Sequence, residues 1–97
     1  MRLSEENLKI RNTIFDLEQR IDQMHVQFHR YCHGELEILP NWERLERDLL
    51  TFSSRKLFDV ELSTHLDRVL FKFQNRKRIW LRWIEEFRHT SDDEPDT

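Results

Sequence analysis

The sequence predicts an all-α fold, an elongated three-helix bundle of long, short and long helices with antiparallel, coiled-coil-like packing. Three observations predict it. The 97 residues include one Gly and two Pro, so the punctuation that hairpins and sandwiches need is missing. Hydrophobic and charged residues are nearly balanced at 37% and 36%, which suits helices with narrow buried stripes and broad wet faces. Apolar residues recur at steps of three and four through two long segments, the spacing that lines one side of a helix. A chain of this length holds one core. The expectation is a single helical domain over residues 1–90 and a disordered acidic tail over 91–97.

The first helix is expected over about residues 5–33, with the stripe Leu3, Ile10, Ile14, Leu17, Ile21, Met24, Phe28 and Tyr31. Ser4 is placed to cap it, Glu5 and Glu6 sit where the helix dipole favours negative charge, and Gly34 is its natural stop. Asn7 lies on the stripe one heptad before Ile14, where a polar residue sets register at some cost in stability. In the connector 35–40, Leu36, Ile38 and Leu39 are expected to fold back onto the core, since three aliphatic side chains in water are unfavourable.

Pro40 and Asn41 announce a second helix of about three turns, capped by Asn41 and striped by Trp42, Leu45, Leu49 and Phe52. A helix this short depends on its neighbours. Ser53 and Ser54 end the pattern, and a connector over about 53–60 leads to a third, long helix. Its stripe is Leu62, Leu66, Val69, Phe73, Trp80, Trp83 and Phe87, widened by Leu70 and Ile84. Arg76 occupies the heptad position between Phe73 and Trp80 and is the second register-setting residue, because a charge in the seam penalises every slipped arrangement. It needs either a carboxylate from Asp16, Glu18 or Asp22 or a route for its head to water. Two helices of about 40 Å make a rod, and a homodimer is expected to cover whatever the short helix leaves open on the long stripes.

The formal charge is -3, with Asp92, Asp93, Glu94 and Asp96 concentrated at the end, which leaves a body of about +1. The single cysteine, Cys32, cannot form an internal disulfide, and no signal-like segment opens the chain, so a cytoplasmic setting is expected. No apolar run approaches the roughly 20 residues that span a bilayer.

Two clusters carry potential chemistry. His25, His29 and His33 recur every fourth residue beside Cys32, and neighbouring imidazoles one turn apart can share a metal. The outer two stand about 12 Å apart along the axis, however, and the usual ligand motifs are missing, so neither a metal nor any other cofactor is assigned. Arg68, Lys72, Arg76, Lys77, Arg78 and Arg82 form a basic stretch with Phe71, Phe73, Trp80 and Trp83 interleaved and no acidic residue between 68 and 84. Such a face can hold phosphates or an anionic surface. Phe73, Trp80 and Trp83 are in phase with the core, and the pI of about 5.9 is far from the value above about 9 typical of dedicated nucleic-acid domains. Lys72, Lys77, Arg78 and Arg82 are therefore assigned to contact a partner protein, with nucleic acid or another polyanion as the alternative ligand.

The long, short, long outline resembles the all-helical chorismate mutase family. Arg11 followed by Ile14, Leu17 and Glu18 is similar to that family's first-helix pattern, and Glu43-Arg44-Leu45-Glu46-Arg47-Asp48-Leu49-Leu50 is similar to its second helix. The resemblance implies an enzyme that clamps two substrate carboxylates with arginines and a lysine. Phe28 and Leu39 stand where the second arginine and the lysine fall, and Trp80 and Trp83 where the third helix carries its final glutamine. Shared architecture without the activity is the reading that results. The sequence thus points to a non-enzymatic helical interaction or scaffold module.

Overall fold

The first helix, α1, spans Arg2–Cys32 in a computed structural model that describes the backbone of residues 2–92 and the side chains of residues 5–88. Because the backbone is already helical at Arg2, Ser4 lies inside the first turn and not at the helix boundary expected of a cap; its side chain lies outside the described ones. At the other end Gly34 adopts φ 78°, a left-handed conformation that glycine reaches without a Cβ penalty. The Gly34 N–H donates to the Tyr31 carbonyl at 3.1 Å and the Glu35 N–H to the Arg30 carbonyl at 2.8 Å, which pairs two carbonyls that the helix end would otherwise leave open.

The second helix, α2, spans Trp42–Ser53. Asn41 Oδ1 accepts the Arg44 N–H at 3.2 Å, as its cap position predicts. The Ser53 and Ser54 hydroxyls donate to the carbonyls of Leu50 and Thr51 at 2.9 and 2.7 Å, and the helix stops there. The third helix, α3, spans Val60–Asp92. Asp59 starts it by accepting the Leu62 N–H at 3.1 Å on Oδ1. Ser91 and Asp92 belong to this helix, and the rest of the acidic tail, residues 93–97, lies outside the described residues.

The connection between the long helices shows how they run. Hydrogen bonds join Asn7 to Asp59, Glu18 to Lys72 and His25 to Trp80, pairs 52, 54 and 55 positions apart. A nearly constant separation means that α1 and α3 run parallel, while α2 returns between them and is antiparallel to both. With 12 residues against 31 in α1, α2 covers about 18 of the 46 Å that the chain must retrace. The connectors supply the rest by running along the rod. That requirement corrects the expectation for residues 35–40: Ile38 is 82% exposed and Leu39 is exposed too, Leu36 is half-buried, and Pro40 is the buried member of the segment.

The core consists of Ile14, Leu17, Ile21 and Phe28 from α1, Leu45 and Leu49 from α2, and Leu62, Leu66, Val69, Phe73, Trp80 and Ile84 from α3. Trp42, Phe52, Met24, Leu70 and Trp83 pack around it. Both long stripes are thus covered along their middle within one chain. The molecule measures 69 × 19 × 16 Å with a radius of gyration of 17.2 Å, against about 13 Å for a compact domain of this length. Among the described residues no helix is long and apolar enough to cross a membrane.

Candidate interaction surfaces

The basic stretch of α3 divides by direction. Lys72 turns toward α1, where its Nζ lies 2.8 Å from Asp22 Oδ1 and 3.5 Å from Glu18 Oε2. The hydrogen bond to Asp22 holds its pKa above the ordinary lysine value, against partial burial. Lys77 turns toward α2, 2.6 Å from Glu46 Oε2 and 5.1 Å above the Trp42 ring. Arg78 and Arg82 point away from the core and are exposed, as is Arg68, and none of the three makes an ion pair among the described residues. Phe71 stands on the same outer face, 69% exposed. Of the four assigned partner-binding residues, two therefore serve the bundle and two remain available to a partner.

The two register-setting positions differ. Asn7 Nδ2 donates to Asp59 Oδ2 at 3.4 Å, and the other oxygen of that carboxylate caps α3, so Asn7 touches the device that starts the partner helix. Arg76 is half-buried and makes no ion pair among the described residues. Of its expected carboxylates, Glu18 and Asp22 are taken by Lys72, and Glu18 also meets His65 Nε2 at 3.3 Å, while Asp16 is exposed.

The histidines separate as well. His25 Nδ1 accepts the Trp80 indole N–H at 3.1 Å. His29 and His33 stack with ring centroids 4.1 Å apart, and His33 Nδ1 is 2.7 Å from the His29 carbonyl, so that nitrogen carries the proton. Together with Cys32, Trp83, Glu86 and Phe87 they line an open groove of about 520 Å³ at one end of the rod. Burial, followed by the charge of Glu86, raises the Cys32 pKa, which makes the thiol a poor nucleophile. Among the described residues no three His, Cys, Asp or Glu side chains are placed to hold one metal ion.

The opposite end carries the surface that sequence reasoning missed. Phe58 is 87% exposed and Val60 78%. Phe58 lines a groove of about 610 Å³ with Ile10, Leu57 and Leu62, beside the charged side chains of Glu6, Lys56 and Asp59. The signal was present in the run Leu57, Phe58, Asp59, Val60, where an aspartate three residues before Leu62 marks a helix start and leaves its apolar neighbours outside the helical stripe.

The positions that carry the resemblance to chorismate mutases are also placed. Arg11 is exposed, Phe28 and Trp80 are fully buried and stack at 4.9 Å, and Leu39 faces solvent. The core aromatics fill the space between the helices where a clamp for two carboxylates would need cationic side chains. Comparison with protein-family models, curated proteins and solved structures found no match for this chain.

Proposed function

We propose that this chain is a non-enzymatic helical interaction module, which associates with other protein chains and in the first instance with a second copy of itself. The observation that carries the reading is Phe58, standing almost fully in water in a groove of mixed apolar and charged lining, with Val60 exposed two residues further on. Apolar side chains exposed singly are ordinary, whereas a large aromatic ring left in water in a groove suits a contact site. A twofold arrangement lets the same patch serve both partners, with each Phe58 entering the other copy's groove. This is a different basis for a homodimer from the long stripes, which are covered within one chain.

Arg78 and Arg82 add positive potential on the outer face of α3, which accelerates encounter with an acidic partner more than it adds affinity. The unpaired Cys32 fits a reducing, cytoplasmic setting. Sedimentation equilibrium over a wide concentration range tests the self-association, with Phe58→Ser and Val60→Ser as controls that remove the apolar contact.

A second reading has its own observation in its favour: Phe71 and the arginines at 68, 78 and 82 share one exposed face, and this combination can stack a base and hold phosphates. A gel shift with single-stranded and duplex nucleic acid at about 50 and 200 mM salt tests it, because phosphate contacts weaken steeply over that range. Loss of a shift at low salt eliminates it.

A further inference from the structure

Trp80 is fully buried, stacked on Phe28 at 4.9 Å and edge-on to Phe73 at 5.9 Å. A buried indole N–H requires an acceptor, and the acceptor is on the other long helix, His25 Nδ1 at 3.1 Å. Since Nδ1 accepts, the imidazole is neutral with its proton on Nε2. The ring also packs against Trp83 at 5.1 Å. The charged and titratable groups acting on it are Asp22 and His29 from α1 and Arg76 from α3.

We propose that His25 is an acid-sensitive latch: a proton taken up at Nδ1 turns the acceptor of the Trp80 indole bond into a donor and releases the α1–α3 contact at the end of the rod carrying Tyr31 and Phe87. The surroundings give the protonated ring little support. Burial, Arg76 and His29 each lower the His25 pKa, and Asp22, which opposes them, is held by Lys72 at 2.8 Å. The sign follows. A folded-state pKa below the ordinary value of about 6.5 means that the contribution to stability is complete above that pH and is lost as the pH falls below it.

The test follows the Trp80 indole N–H resonance by NMR from about pH 7.5 to 5 in the full chain, beside His25→Asn. The asparagine Oδ1 stands where Nδ1 stands and does not titrate. In the wild type the resonance shifts and loses exchange protection in one transition below the ordinary histidine pKa, and in His25→Asn it stays constant. An indole signal constant across the range in the wild type, or the same transition in both proteins, overturns the latch. Trp80→Phe removes the donor and provides a second check: its unfolding midpoint depends on pH less steeply than the wild type's, and an unchanged slope contradicts the proposal.

Discussion

Gly34 ends α1 in a left-handed conformation, and beyond its chain neighbours no atom lies within 4 Å of the place a Cβ would occupy, so the cost of any side chain there is torsional. Gly34→Ala is expected to lower stability by about 1 kcal/mol, and Gly34→Asn by less, as read from urea unfolding midpoints. The lysines and arginines of α3 make a sharper comparison. Lys77→Ala loses both the Glu46 ion pair and the Trp42 ring contact, a loss of about 1 kcal/mol, whereas Arg78→Ala and Arg82→Ala leave the unfolding midpoint unchanged. Equal effects at all three positions would show that the division into inward and outward cations is wrong. That division is written in the helical angles: residues 72 and 77 flank the core stripe while 78 and 82 lie opposite it. What the pattern could not supply is the carboxylate each inward lysine meets, because Asp22 and Glu46 come from different helices brought together only by folding.

Among the elements, α2 is least able to stand alone. Its 12 residues are too few for an isolated helix in water, so its position depends on Leu45 and Leu49 entering the groove between the long helices. Leu45→Ala and Leu49→Ala are each expected to cost about 2–5 kcal/mol, and Asn41→Ala about 1 kcal/mol. A thermal unfolding series that ranked the cap above the two leucines would contradict the packing described for α2. Helix type, order and the two C-terminal stops were legible from periodicity, the Asn41 cap and Gly34. The first boundary was not, because helical geometry extends back through the polar start of α1 to Arg2, past the Ser4 that reads as a cap. Asp59 went unrecognised for the opposite reason, sitting among apolar residues that read as connector. Asp59→Ala removes the α3 cap and the Asn7 contact together, and a loss of about 1 kcal/mol or more is expected in the same unfolding assay.

For the whole molecule, a narrow rod has much surface for its volume, and among the described residues its core closes along the middle, with grooves toward both ends. The sequence shows why it is elongated, since two stripes of such length cannot wrap a sphere. It does not show that one chain covers both stripes, because that depends on α1 and α3 running parallel with α2 laid along the seam. The expectation that Ile38 and Leu39 return to the core fails at this scale too: the distance the connector must cover overrides the preference of its side chains. What remains exposed, above all Phe58 and Val60, is the basis for the proposal of self-association.

Sedimentation equilibrium of the wild type beside Phe58→Ser tests that proposal most directly. The wild-type mass should rise from 12.2 kDa toward twice that value with concentration, while the variant stays at the lower figure. A wild-type mass fixed at 12.2 kDa at every concentration would contradict it.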